Sequence, residues 1–227
     1  MRRLGGVFTR HCPVCGFHGK FHAYGLPPRF DARCPRCGSL ERHRLFKIWL
    51  DAGGRELVRD TRLLHFAPEP SIARLVKPIA RKYVSADIVP GKADINLDIE
   101  KTGLAGDSFD CVLCSHVLEH VDDRAALTEM RRILSDGGVM ILMVPLIEGW
   151  SETYENTSIT TPKDRLKFYG QEDHIRRYGA DFRRRVLSAG FSLSEFTAIE
   201  PQVSNHGLLH GDKIFVARPN RESTLWA

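Results

Sequence analysis

Four cysteines carry the most specific chemistry in the sequence. They fall as Cys12-Pro-Val-Cys15 and Cys34-Pro-Arg-Cys37, two CxxC turns separated by an 18-residue spacer. Each turn aims two thiolates at one ion, and the second pair completes a tetrahedral site whose expected occupant is zinc. Iron in a rubredoxin-like site is the alternative metal, and two disulfides are the alternative without one. Gly16 and Gly38 follow the pairs and suit tight knuckle turns in which backbone amides approach sulfur. A four-thiolate site leaves no position for water or substrate, so the metal is expected to be structural. Cys111 and Cys114 form a further CxxC inside an apolar run. On a strand they point to opposite faces and read as small core hydrophobes.

The second group of chemically capable residues is acid–base. His116 closes the Cys114-Ser115-His116 string and is the first candidate for a base or substrate contact, since imidazole works near neutral pH. Asp173 and His174, within Gln171-Glu-Asp-His-Ile-Arg-Arg-Tyr178, form a possible orienting pair acting as base or clamp; in the alternative reading the acids cap a helix start. Glu119 and His120 are expected at the start of the next helix, tied to its N-terminal amides. Asp87 ends the stretch Lys82-Tyr-Val-Ser-Ala-Asp87, and a carboxylate at the tip of a second strand can accept both hydroxyls of a ribose. Its alternative is a cap on the turn before Val89-Pro-Gly91.

These residues require elements to hold them. Residues 109–115 and 139–144 are short apolar runs rich in Val and Ile, as buried parallel strands are. Between them, 122–134 carries Ala126, Leu127, Met130, Ile133 and Leu134 on a helical stripe, with Asp122 and Asp123 at its start. Gly137-Gly138 is expected to close that helix. Strands are predicted at 62–66, 82–87 and 93–98, and a closing antiparallel hairpin at 191–197 and 213–217, with His206 and His210 in its loop. The turn Ala67-Pro-Glu-Pro70 lacks GxGxxG, which counts against NAD or FAD. A helix starting near Ser39 is expected to bury Leu45, Ile48 and Trp49. Arg42, His43, Arg44 and Lys47 would then face solvent, a cofactor entrance or an acidic substrate.

At 227 residues, one α/β domain and a minor module are expected: a metal-ribbon module and connecting helix at 1–58, the larger domain at 59–220 and a tail at 221–227. Residues 1–62 hold 13 Lys/Arg against 5 Asp/Glu and the remainder 20 against 23, so the positive excess sits on the N-terminal module. That invites a nucleic-acid hypothesis, although a solvated basic face is the commoner outcome. No apolar run approaches the ~18 residues of a membrane span, and the start MRRLGGVFTR lacks a signal-peptide core. A cytoplasmic location and no membrane partner are expected.

The acidic end of the second strand, NLDIEKTGLAGDSFDCVLCSHVLEHVDD and EMRRILSDGGVMILMVP together resemble the class I S-adenosylmethionine-dependent methyltransferases over roughly 60–218. The resemblance implies a Rossmann-like seven-stranded sheet and S-adenosylmethionine as cofactor. It further implies Asp87 at the ribose, Asp98 at the adenine amino group, and Leu97 and Ile99 flanking the ring. On their own chemistry Ala67 and Glu69 of the turn, with His65 at the strand end, could meet the methionine end, the alternative for His65 and Glu69 being a core histidine and a plain turn; Ser115 and His116 stand at the end of the fourth strand. HFAPEP departs from the family's glycine-rich first loop. With the thiolate knuckles and the string FYGQEDHIRRYGADFRRRVLSAGF, the chain looks like a bacterial branch carrying an N-terminal zinc ribbon, a branch linked to sugar or secondary-metabolite modification. The expected acceptor is a hydroxyl or amine of a small molecule, natural product or glycan. An RNA methyltransferase using the basic ribbon, and a non-catalytic cofactor-binding protein, are the alternatives.

Overall fold

The computed structural model of the chain describes residues 5–220, and the expected tail at 221–227 lies outside them. In chain order the elements are β1 (Gly5–His11), β2 (His18–Tyr24), β3 (Arg29–Arg33), α1 (Glu41–Trp49), α2 (Arg55–Val58), β4 (Arg62–Phe66), α3 (Pro70–Val76), β5 (Lys82–Asp87), β6 (Ile95–Asn96) and β7 (Phe109–Ser115). There follow α4 (Asp123–Ile133), β8 (Leu134–Met143), β9 (Tyr154–Glu155), α5 (Pro162–Tyr169), β10 (Arg176–Arg177), α6 (Phe182–Ser188), β11 (Phe191–Thr197), α7 (Gln202–His206) and β12 (Lys213–Pro219). Two compact units result. One gathers 5–59, Glu69–Ile79 and Phe196–Ile214; the other holds Asp60–Pro68, Ala80–Glu195 and 215–220.

The larger unit is built on a Rossmann-like seven-stranded sheet of order β11-β12-β8-β7-β4-β5-β6. β6, β5, β4, β7 and β8 are parallel neighbours, and β12 returns antiparallel to β8. The chain enters at the central strand β4, moves outward to β5 and β6, then crosses back to place β7 on the other side of β4. That reversal creates a switch point, where an open α/β sheet puts its ligand crevice. Both faces of the central strands are covered, so Leu63 to Phe66 and Cys111 to Ser115 are all buried, which is why their sequences run apolar without alternation.

Between β7 and β8, α4 buries Ala126, Leu127, Met130 and Ile133, and the Asp122 carboxylate caps it by accepting from the amides of Arg124 and Ala125. Gly137-Gly138 does not end this helix. Leu134 already adopts extended backbone and pairs with Phe109, while Val139 pairs with Cys111, so the two glycines lie in a bulge of β8. Gly138 is needed for space: a Cβ there would sit 2.7 Å from the Leu134 side chain. Cys111 and Cys114 are fully buried, and burial pushes both thiols well up, as inert core residues require.

The smaller unit is a zinc-ribbon-like three-stranded antiparallel sheet, β1-β2-β3, with a CxxC knuckle after β1 and another after β3. Arg44 of α1 is fully buried here, which corrects the expectation that it faces outward. Its guanidinium donates to the carbonyls of Ala32 and Ser39 at 2.9 Å and of His206 and Gly207 at 2.6 Å, and lies 4.7 Å over the Phe21 ring. Only a planar cation with several donors satisfies so many carbonyls at once. The connection carrying α7 thus belongs to the ribbon, and His206 Nδ1 is 2.8 Å from the His11 carbonyl.

Helix α1 starts at Glu41, after Leu40. The Ser39 hydroxyl is occupied by sulfur, 3.3 Å from Cys12 Sγ and 3.2 Å from Cys37 Sγ, so it does not cap the helix. Leu45, Ile48 and Trp49 are buried, as their spacing requires.

Candidate active site

Two residues with left-handed backbone mark the switch point. Ala67 follows β4 with φ 45°, and His116 follows β7 with φ 55°. A non-glycine residue held there stores about 1–2 kcal/mol of strain, and such strain clusters at functional sites. Ala67 is fixed by its N–H, which donates to the Ala86 carbonyl at 2.8 Å, and the His116 N–H donates to Met143 at 2.8 Å.

A shallow cleft opens beside these strand ends, lined by Ala67, Asp87, Leu97, Asp98 and Ile99 together with Phe66, Ala86, Ile88, Val117 and Val121. Asp87 Oδ1 accepts the Val89 amide at 2.8 Å, and Asp98 Oδ1 accepts the Glu100 amide at 2.9 Å. Each carboxylate is therefore anchored through one oxygen. An apolar slot bearing two carboxylates suits an adenosine, whose ring needs apolar walls and whose hydroxyls and amino group need acceptors. Val117 and Val121 come from the turn after β7 and carry no polar signal that would mark them in the sequence.

The remaining cofactor candidates lie elsewhere. His65 is fully buried with Nδ1 3.0 Å from the Tyr83 hydroxyl, and it does not line the cleft. The reason is strand alternation: Leu64 and Phe66 join the main core and His65 points to the opposite face. Ser115 is likewise buried at the end of β7. Glu69 belongs to the smaller unit, where its carboxylate meets His43 Nε2 at 2.8 Å and Arg42 Nε at 3.0 Å. The Leu40 amide donates to His43 Nδ1, so the neutral ring presents its Nε2–H to Glu69. Burial works to raise the Glu69 pKa, but His43 and Arg42 hold it well below the carboxylate range.

A second cluster stands on the turn between β7 and α4. Because Asp122 starts α4, residues Leu118–His120 form a separate 3₁₀ turn, and Glu119 is not among the helix's N-terminal residues as expected. The segment 174–178 grips this turn. The Ile175 amide donates to the Glu119 carbonyl at 2.9 Å, Arg176 to the carbonyls of Leu118 at 2.7 Å and Val121, and the Tyr178 hydroxyl to Leu118 at 3.0 Å. Arg176 is tied in turn to Glu155 at 2.9 Å, and Asp123 to Arg185 at 3.0 Å.

This grip brings His174 to His120, ring centroids 4.7 Å apart and nearly perpendicular. His116 Nδ1 stands 3.3 Å from Glu119 Oε1. Asp173 does not orient His174: its Oδ2 lies 3.4 Å from His120 Nδ1. Adjacent side chains in an extended segment diverge, and the Asp173 carboxylate is 70% exposed while His174 is buried. Burial lowers the His174 pKa, favouring the neutral ring. At Glu119 burial works upward, but the His116 imidazole pulls the pKa below its ordinary value, favouring the carboxylate. A larger groove lined by Arg124, Glu152, Asp181, Arg184 and Arg185 includes none of these residues.

The thiolate site meets the geometric demand of a tetrahedral ion. Cys12 and Cys37 sulfurs are 3.6 Å apart, Cys15 and Cys34 sulfurs 3.7 Å, and all four lie within 4.8 Å of one another. A zinc ion with bonds of ~2.3 Å needs sulfur–sulfur edges of roughly 3.8 Å. Gly16 and Gly38, with φ 71° and 73°, donate their amides to Cys12 and Cys34 carbonyls in matching knuckles. Burial pushes Cys15 up to about 12. Burial also works upward on Cys37, but the hydroxyl and amide of Ser39 bring it down to about 7.

Sheet order and strand-end geometry define a Rossmann-like domain of the kind shared by S-adenosylmethionine-dependent methyltransferases, accompanied by a four-cysteine ribbon. Residues 71–142 match the methyltransferase-domain family. No curated protein sequence matches the chain. Among solved structures, an S-adenosylmethionine-dependent methyltransferase from Mesorhizobium loti is similar at 16% identity, covering 75% of this chain and 96% of the other with a TM-score of 0.54. A 1,6-didemethyltoxoflavin-N1-methyltransferase from Burkholderia thailandensis, with its substrate and S-adenosylhomocysteine bound, is similar at 15% identity, 78% and 76% coverage and a TM-score of 0.53. A Haloferax volcanii methyltransferase in complex with the activator Trm112 is similar at 12% identity, 79% and 94% coverage and a TM-score of 0.54. Among the described residues no helix is long and apolar enough to cross a membrane.

Proposed function

We propose that the protein transfers a methyl group from S-adenosylmethionine to a hydroxyl or amine of a small molecule, natural product or glycan. The observation that carries this reading is the apolar cleft at the switch point with Asp87 and Asp98 in its lining. Asp87 would accept from the ribose hydroxyls and Asp98 from the adenine amino group, with Leu97 and Ile99 against the ring. The cofactor supplies an electrophilic methyl group when bound. His116 is then the candidate base. Nε2 would take the acceptor's proton, and the Glu119 carboxylate, 3.3 Å from Nδ1, would stabilise the imidazolium that forms. His174 and Asp173 act on the acceptor side, His174 through its contact with His120 and Asp173 as the group that orients His120.

The RNA reading draws on the basic ribbon, yet much of that charge is used internally. Arg10 pairs with Asp31 at 3.0 Å, Arg29 with Glu41 at 2.8 Å, Arg42 with Glu69, and Arg44 is buried. Calorimetry with S-adenosylhomocysteine is expected to show stoichiometric binding, and comparison of methylated metabolites with and without the protein to reveal the acceptor. Absence of binding heat sinks the enzyme reading; methyl incorporation into bulk RNA, with retention on heparin that falls steeply with salt, replaces the small-molecule acceptor by RNA.

A further inference from the structure

Glu119 is 1% exposed, yet neither of its carboxylate oxygens accepts a hydrogen bond. Among the described residues the His116 imidazole stands closest, with Nδ1 3.3 Å from Oε1. A carboxylate withdrawn from water with its lone pairs unused is strongly unfavourable unless a cation meets it. Two further imidazoles are at hand: one ligand atom from each of Glu119, His120 and His174 lies within 4.8 Å of the others.

The outer face of this group is arranged as metal-bound histidines commonly are. His120 Nδ1 lies 3.3 Å from the Asp173 carbonyl and 3.4 Å from its carboxylate. A proton on Nδ1 directed at those oxygens leaves the lone pair on Nε2, the form that binds a metal, and fixes the ring. The Arg176 and Tyr178 bonds to the backbone of the 118–121 turn hold Glu119 and His120 in place before any ligand arrives.

We infer that Glu119, His120 and His174 form a binding site for a divalent transition-metal ion, distinct from the four-thiolate site. Two imidazoles and one carboxylate suit zinc, iron(II), manganese or cobalt, and leave coordination positions open. The thiolate tetrad is closed by comparison. An ion here would bind an oxygen of the methyl acceptor and lower its pKa, which favours a hydroxyl acceptor over an amine. That last role rests on the methyltransferase reading; cation binding does not.

The test uses the full chain with zinc already in its cysteine site, titrated with cobalt(II) by calorimetry and visible absorption. One further equivalent is expected, with the weak bands of imidazole and carboxylate ligation and no new thiolate charge-transfer band. Glu119→Gln and His174→Ala are each expected to weaken uptake by at least about tenfold. Asp173→Asn, at an exposed side chain that touches only the outer nitrogen of His120, is expected to weaken it severalfold with the fold intact. Absence of the second equivalent, or affinity in Glu119→Gln and His174→Ala unchanged from that of the unaltered protein, overturns the site. S-adenosylhomocysteine binding is titrated separately on the unaltered protein: its loss removes the methyltransferase reading and leaves the site standing, whereas its presence without cobalt uptake removes the site alone.

Discussion

His120 and His174 meet edge to face at 4.7 Å, although one follows the fourth strand of the large sheet and the other comes from the insertion after the fifth. The meeting is enforced by backbone. Ile175, Arg176 and Tyr178 bind the carbonyls of residues 118, 119 and 121, so the insertion is pinned to the turn that follows β7.

Arg176→Met tests that pin. Arg176 is buried, and its loss leaves the Leu118 and Val121 carbonyls and Glu155 without their guanidinium. A loss of about 3 kcal/mol in urea unfolding is expected from the two charge-assisted bonds to backbone carbonyls, at about 1.5 kcal/mol each; Glu155 keeps Arg185 and the Leu118 carbonyl keeps Tyr178. A change within experimental error would show that the insertion is held by other contacts.

Asp87 bears on the cofactor. Asp87→Ala is expected to weaken S-adenosylhomocysteine binding at least about tenfold, or about 1.4 kcal/mol. Asp87→Asn keeps an acceptor for the Val89 amide and is expected to fall between the two. Calorimetric affinity unchanged in both variants would remove the ribose role.

Zinc removal concerns the ribbon. Metal analysis should give about one equivalent at the four cysteines, with loss of ribbon structure in chelator. Thiols must shed protons to bind, so affinity is expected to fall as pH drops through about 7, where Cys37 also becomes protonated. A metal-free protein with an intact ribbon, seen by circular dichroism and proteolysis, would contradict this.

Acid stability reports on Asp110. The Arg62 guanidinium at 2.7 Å, working against a smaller upward push from burial, holds Asp110 at about 2. A depressed carboxylate stabilises the fold fully above its unfolded value of about 3.9 and loses that contribution as pH falls toward about 2. Asp110→Asn is expected to cost about 1 kcal/mol at neutral pH, allowing for solvent screening. In stepped-pH denaturation the gap should narrow below pH ~4; a constant gap would mean the pair contributes packing rather than charge.

Local periodicity in the sequence determined the CxxC knuckles, the buried strands 62–66 and 109–115, the α4 stripe, and the acidic strand end at Asp87, whereas the third strand, expected over 93–98, is only Ile95–Asn96 and leaves Asp98 beyond its end. Such features depend on residues a few positions apart, where spacing alone fixes which side chains share a face. Only the tertiary structure decided that Arg44 is buried under ribbon carbonyls, that the β11–β12 connection joins the ribbon, that Asp173 lies beside His120, and that Glu119, His120 and His174 converge. Each of those depends on partners brought together by the sheet order and by backbone hydrogen bonds, and no spacing along the chain records which distant carbonyl or imidazole a side chain will meet.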